Sequence, residues 1–205
     1  MGIPAEALRQ GLDAIAATEP GMARALALAG YPEARIRPRG YATLLRTIVG
    51  QQVSVAAAAS VWGKLEALLG DGMAPEALLA ADHDSLRACG FSRQKQGYAR
   101  SLCELVVSGE LDLHGLPADD EAAIAELIRI KGIGRWSAEI YLLFAEGRPD
   151  IWPAGDLAVQ AGLHRILGLD ARPSEKEARV LAEAWSPHRG AAAIFTWHCY
   201  NNAAL

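Results

Sequence analysis

Apolar residues recur at intervals of three and four along almost the whole chain, and no stretch alternates apolar with polar. Between 54 and 69, Val55, Ala58, Val61, Trp62, Leu65 and Leu68 fall on one helical face. Between 93 and 107, Tyr98, Leu102, Leu105 and Val106 do the same. This spacing predicts further helices over 4–17, 21–29, 41–49, 75–81, 120–128, 157–167, 174–184 and 189–201. Residues 136–145 are apolar almost all round, the mark of a central helix between two subdomains. Short Gly/Pro breaks separate the elements, without internal repeat, low-complexity tract or free linker. The expectation is an all-α fold: a single domain over 1–205 with two helical subdomains flanking a cleft. One spans 41–145, and the other combines 1–40 with 146–205.

Two of the breaks carry chemistry. In Ile130-Lys131-Gly132-Ile133-Gly134-Arg135-Trp136, two glycines around one aliphatic residue make a tight hairpin over 128–137. Such a turn lets backbone approach a surface closely, offers consecutive N–H groups to a phosphate, and is pinned to the core by Ile133. An ordinary helix–turn–helix has the same pattern. Downstream, Trp152-Pro153-Ala154-Gly155-Asp156 delivers a carboxylate to the start of the next helix. Asp156 there is an N-cap, and a carboxylate so held also stabilises positive charge developing beside it.

Together with Ile48-Val49-Gly50-Gln51-Gln52-Val53-Ser54 and Gly90-Phe91-Ser92-Arg93-Gln94-Lys95, these motifs stand in the order found in the helix-hairpin-helix DNA glycosylases. The chain resembles that superfamily from about Tyr41 to Asn201. Within it the likeness is to 3-methyladenine DNA glycosylase II, the AlkA type. Longer members carry an N-terminal β-containing domain; the helical character of 1–40 implies a short form.

The resemblance implies a base-excision repair enzyme that flips an alkylated purine such as 3-methyladenine or 7-methylguanine out of double-stranded DNA and hydrolyses its N-glycosidic bond. Asp156 is then the catalytic carboxylate, stabilising an oxocarbenium-like transition state. Trp136 and Trp197 are the base-pocket aromatics, although both also fit core packing. Ile140 stands where some members have tyrosine. Lys131, Gly132, Ile133, Gly134 and Arg135 hold the DNA backbone. Gln51 and Gln52 sit where the family keeps the residue that fills the gap left by the flipped nucleotide; Gln52 is the better match, and a polar interhelical loop is the plain alternative. No cofactor is required. The family's Na⁺ or K⁺, bound at the hairpin through main-chain carbonyls and a DNA phosphate, maps to Ile128, Ile130 and Ile133. Relatives that also cleave the strand place a lysine in the hairpin's second helix; the corresponding slot here is Trp136, so a monofunctional enzyme is expected.

Charge complicates this picture. The net charge is −4, whereas phosphate binding favours a basic surface. Acidic residues gather at 119–121, 126 and 175–183, while Arg93, Lys95, Lys131, Arg135, His164 and Arg165 recur at the motifs, so a narrow positive strip on an acidic body is expected. Cys89, Cys103 and Cys199 form no C-x-x-C pair, which argues against a disulfide framework, a zinc site or an iron–sulfur cluster. His83, His114, His164, His188 and His198 have no H-x-x-x-H spacing. Glu6 stands where a secretory leader needs basic residues, and no apolar run is long enough to cross a membrane. A cytoplasmic monomer is expected, nucleoid-associated if bacterial. The alternatives are a non-catalytic helix-hairpin-helix DNA-binding module, for which Asp156 would have no use, and a glycosylase for other damaged or mismatched bases on the same scaffold.

Overall fold

A computed structural model describes residues 2–201, and every regular element among them is helical. The chain clusters into two compact units: residues up to Arg37 with those from Glu139 onward, and Pro38–Ala138.

The Pro38–Ala138 unit contains α3 (Tyr41–Gly50), α4 (Val55–Leu69), α5 (Pro75–Ala80), α6 (His83–Ala88), α7 (Arg93–Val107), α8 (Asp120–Ile128) and the start of α9 (Arg135–Tyr141). Helix α7 is its hub, packing against α3, α5 and α6. Leu44, Leu45, Ile48, Leu65, Leu78, Leu86, Phe91 and Leu102 are fully buried around it. Most starts follow from side-chain caps: Ser54, Asp82, Ser92 and Asp119 accept N–H bonds from the first turns of α4, α6, α7 and α8. Helix α6 does not stand out in the apolar pattern because only Leu86 of its six residues is buried. The Asp82 cap starts it, and buried Gln96 links it to α7, donating to the carbonyls of His83 (3.2 Å) and Phe91 (2.8 Å).

The other unit contains α1 (Ala5–Ala16), α2 (Pro20–Ala29), the end of α9, α10 (Leu157–Leu167), α11 (Glu175–Leu181) and α12 (Arg189–Asn201). Helix α12 packs on α1, α2 and α10. It does so through small residues: Gly190, Ala191, Ala192 and Ala193 are buried on it. A bidentate pair from Arg189 to Asp150 (2.9 and 2.7 Å) and a hydrogen bond from Ser186 fix its start. Burial pushes the Asp150 carboxyl upward, but Arg189 and Ser186 outweigh it and leave the group below its ordinary value.

Three expectations are corrected. The regular helix over 136–145 is α9 followed by a π-helical turn, Leu142–Glu146. Residues 140–145 are all buried, so apolar periodicity could not separate the two geometries. The widened turn leaves the Phe144 carbonyl to accept the Arg37 N–H at 2.9 Å. The helix over 174–184 ends at Leu181 and resumes as a 3₁₀ turn, Glu183–Trp185. The boundary between units falls within α9 rather than after 145, because Glu139 pairs with Arg179 (3.6 Å) and Phe144 packs on Trp197.

All three cysteines are buried and free; burial pushes the thiols of Cys103 and Cys199 up to about 11 and about 12. No helix among the described residues is long and apolar enough to cross a membrane.

Two glycines in helix interiors have opposite surroundings. A Cβ on Gly162 would lie 2.4 Å from the Thr196 carbonyl oxygen, whereas one on Gly63 would meet nothing within 4 Å. Gly162→Ala is therefore expected to lower stability by about 2 kcal/mol or more, and Gly63→Ala to raise it by about 0.5–1 kcal/mol. Urea midpoints of the two variants should move in opposite directions.

Candidate active site and DNA interface

The loop leading into α10 is buried from Ile151 to Ala154, and a set of hydrogen bonds holds it. Ile151, Trp152 and Ala154 are almost fully enclosed. Trp152 meets Trp185 edge to face (86°, centroids 5.7 Å apart) and donates Nε1–H to the Ala178 carbonyl at 3.0 Å. The Ala154 N–H bonds to the Trp152 carbonyl at 2.8 Å, and the Asp156 N–H to Pro153 at 2.9 Å. From α10, the buried Gln160 amide reaches back and donates to the Ala154 carbonyl at 2.7 Å. The loop is rigid for these reasons, not by its own propensity. At its end Asp156 is half-buried, and its Oδ1 accepts the N–H groups of Ala158 (2.8 Å) and Val159 (3.0 Å). The expected N-cap is present, and the helix dipole favours the negative charge there.

In the same unit Trp197, half-buried on α12, packs at 32° against Phe144 with centroids 5.6 Å apart. Both rings line a cavity of about 430 Å³ together with Tyr31, Pro32, Glu33 and Ile194. That volume is in the range of small-ligand sites. Phe144 was not singled out in the sequence, where it is one apolar residue in an apolar run; the π turn gives it a distinct role. Segment 31–37 is held in place by the Arg37–Phe144 backbone bond and by a hydrogen bond from Tyr31 to Asp13. Also in this unit, Arg165 lies over the Tyr200 ring at 5.6 Å, and the buried His164 Nδ1 has no partner.

In the Pro38–Ala138 unit the hairpin joins α8 to α9. Ile130 and Ile133 are buried and anchor it, while Lys131, Gly132, Gly134 and Arg135 are exposed. Gly132 adopts φ +82°, and a Cβ there would stand 2.2 Å from Cδ2 of Tyr98. Only glycine fits. A Cβ on Gly134 would meet nothing within 4 Å. Not every turn amide faces outward: the Lys131 N–H donates to Ser101 Oγ (3.2 Å) and the Ile133 N–H to the Ile130 carbonyl (3.0 Å). The exposed glycines supply the others. Trp136 is 47% exposed, so core packing does not describe it.

Gln51 and Gln52 follow α3. The Gln51 amide donates to the Gly132 carbonyl at 2.8 Å, tying this turn to the hairpin. Gln52 is exposed and left-handed, with φ +55°. The positive strip is narrower than expected. Arg135 is paired with Glu121. Lys95 donates to the Val49 carbonyl at 2.8 Å, and desolvation holds its ammonium below the ordinary lysine value.

The described residues hold no group of three His, Cys, Asp or Glu side chains fit to bind a metal. The carbonyls of Ile128, Ile130 and Ile133 are neutral, hard donors, a set suited to a weakly held alkali cation. Ile128 closes α8, where carbonyls leave the helical ladder, while the Ile130 carbonyl already accepts one N–H.

Comparison with known proteins meets this geometry from outside. The description "HhH-GPD superfamily base excision DNA repair protein" matches residues 45–188. The chain is 32% identical over 161 residues to DNA-3-methyladenine glycosylase 1 of Schizosaccharomyces pombe, covering 77% of this chain and 71% of that one. Its fold superimposes on the crystal structure of DNA-3-methyladenine glycosidase from Bacillus halodurans with a TM-score of 0.85 at 31% identity, over 94% of this chain and 89% of the other. A 3-methyladenine DNA glycosylase of S. pombe in complex with abasic DNA matches with a TM-score of 0.81 at 28% identity, over 96% and 98%. Hairpin, loop and capping aspartate thus lie inside the matched span, which takes in more than half of the chain, and the chain belongs to the HhH-GPD superfamily of base excision DNA repair proteins.

Proposed function

We propose that the chain is a monofunctional DNA glycosylase that releases alkylated purines, 3-methyladenine and 7-methylguanine, from double-stranded DNA. The observation that carries this reading is Asp156: a carboxylate fixed by two main-chain N–H bonds, at the end of a loop braced by Gln160 and Trp152, yet only half-buried. Alkylation at N3 or N7 makes the base a cation. Its bond to C1′ breaks with the electron pair going to the base, which leaves as a neutral purine. The sugar becomes oxocarbenium-like, and Asp156 stabilises that charge. Water then adds to C1′ and loses a proton, leaving an abasic site.

Trp197 and Phe144 offer π faces to the cationic ring, and each cation–π contact favours the alkylated over the neutral base by about 0.5–2 kcal/mol; Trp136, exposed just after the hairpin, is the other aromatic assigned to base recognition. Gln52 fills the gap left in the duplex. The hairpin from Lys131 to Arg135 grips the sugar-phosphate backbone without reading sequence. Ile128, Ile130 and Ile133 would hold Na⁺ or K⁺ there, adding positive charge against a phosphate. The enzyme works as a monomer in the cytoplasm, on nucleoid DNA if the source is bacterial.

Incubation with methylated DNA, followed by identification of the released bases, tests the reading directly. Asp156→Asn keeps an N-capping side chain and so keeps the fold, while release of methylated purine falls by about two to three orders of magnitude in single turnover. Binding to an abasic-site analogue persists. Turnover near that of the wild type would remove Asp156 from the mechanism.

Because a side chain at 134 meets open space, Gly134→Leu is a clean probe of the hairpin, unlike any change at Gly132. It is expected to leave the melting temperature in place and weaken binding to damaged and undamaged duplex alike by about tenfold, the scale of a lost hydrogen bond to phosphate. Fluorescence anisotropy across a salt series reads this, and an unchanged Kd would remove the hairpin from the DNA contact.

The amine nearest the hairpin turn, Lys131, is exposed before the second helix begins. Strand cleavage would need an amine on C1′, forming a Schiff base. Borohydride is therefore expected to trap no protein–DNA adduct, and the product strand should break only after alkali. An adduct that disappears in Lys131→Ala would overturn the monofunctional assignment.

A further inference from the structure

The two turns that face the duplex in this reading are not independent pieces of surface. Gln51-Gln52 and the hairpin lie far apart in sequence, yet the Gln51 side chain joins them through its 2.8 Å bond to the Gly132 carbonyl. The groups around that bond explain why it is more than a surface contact.

Gln52 has φ +55°, a conformation that a residue with a Cβ keeps only when its surroundings impose it. Three restraints do so. Before the turn, Lys95 Nζ donates to the Val49 carbonyl at 2.8 Å and caps the end of α3. After the turn, Ser54 accepts the Ala57 N–H at 3.2 Å and starts α4. Between them stands the Gln51 bond. Its acceptor is itself immobile. Gly132, at φ +82°, rests on the Tyr98 ring so closely that no Cβ could intervene, and the Tyr98 hydroxyl accepts from Gln94 Nε2 at 2.7 Å. Lys95, Tyr98 and Gln94 all belong to α7, so one helix supports both turns and Gln51 closes the frame between them.

The geometry points to Gln51 as a positioning residue that locks the wedge turn to the hairpin, so that seating the hairpin on the phosphate backbone sets how Gln52 enters the duplex. This rests on the reading of Gln52 as the wedge and of the hairpin as the backbone grip. In it, Gln51 does not touch DNA. Its amide faces the Gly132 carbonyl, and its effect passes through Gln52. A glutamate at 51 could not replace it, because an ionised carboxylate has no N–H to donate and would face a carbonyl oxygen.

The consequence is selective. A wedge matters most where the lesion is paired and stacked, and least where the base opposite is missing and the stack is already broken. Gln51→Ala should therefore lower single-turnover release of 7-methylguanine opposite cytosine by about tenfold, the scale of one hydrogen bond, and lower release opposite an abasic position by clearly less. A merely structural loss would reduce both equally. Because both substrates are measured on one preparation, misfolding cannot imitate the difference.

The deciding experiment is a double-mutant cycle with Gln52→Gly, which removes the wedge side chain and suits the left-handed backbone. If Gln51 acts through Gln52, then Gln51→Ala causes no further loss in the Gln52→Gly background, and Gln51→Glu behaves like Gln51→Ala. Additive losses, or an equal loss on the two substrates, would overturn the role of Gln51 while leaving the wedge in place. An unchanged rate in Gln52→Gly alone would remove the wedge reading, and the present inference with it.

Discussion

At Gly162 the helices α10 and α12 meet at a spacing only a hydrogen atom permits, with the Thr196 carbonyl oxygen 2.4 Å from where a Cβ would stand. Equivalent approaches recur nearby: Gly190 lies against the Pro149 carbonyl, and Gly21 against that of Ile166. Asp156 caps the start of α10, and Trp197 follows Thr196 on α12. The crossing therefore holds the Asp156 carboxylate and the Trp197 ring on two helices packed together within one unit. Reactions that depend on charge placed beside a breaking bond lose rate steeply when the placement drifts by about an ångström. In the proposed mechanism the crossing serves that tolerance through side chains that are small, not through extra bonds.

The loop before Asp156 obeys a second constraint. Irregular backbone normally runs over the surface because its N–H and C=O groups need water. Here Ile151 to Ala154 are buried; two backbone turns and the Gln160 amide satisfy the carbonyls of Trp152, Pro153 and Ala154, and the Trp152 indole N–H bonds to Ala178. Gln160 is nearly enclosed, and a buried amide without a partner would be costly. Its identity is thus set by the loop carbonyl it must meet. The restrained loop in turn presents Asp156 at a helix end, half-buried, which keeps the charge close to solvent while its direction is fixed.

Much of this was legible in the sequence, for physical reasons that differ by element. The amphipathic helices follow from periodicity, and the bounds of α7, α8, α10 and α12 agree with it. Asp156 is readable because capping is local: an aspartate before an apolar helix bonds the amides two and three residues on. Features built from distant residues are not readable. Gln51 meets Gly132 across 81 positions, and nothing in either residue type announces the other. The π turn is hidden because Phe144 sits in a run buried on every side. The positive strip was overestimated because counting basic residues ignores their partners: Arg135 faces Glu121, and Lys95 caps α3.

That last difference alters how an acidic chain can handle DNA. In the proposed reading, with Lys95 turned to a carbonyl and Arg135 paired, the grip on phosphate falls to hairpin amides and a few cations, such as the exposed Lys131 and Arg93. Amide contacts carry no net charge and so displace few of the counterions condensed on DNA, and they add less salt-dependent affinity than arginines would. For an enzyme that must scan undamaged duplex, weak backbone binding is an advantage, because discrimination then rests on the flipped base. The base supplies what the surface lacks. In the proposed mechanism a cationic purine stacks on aromatic faces, and its departure leaves a growing positive charge on the sugar beside the carboxylate, two interactions that an uncharged, undamaged base does not make equally. The acidic balance of the chain, at first sight an objection to a nucleic-acid partner, is consistent with a protein whose selectivity depends on positive charge in the substrate.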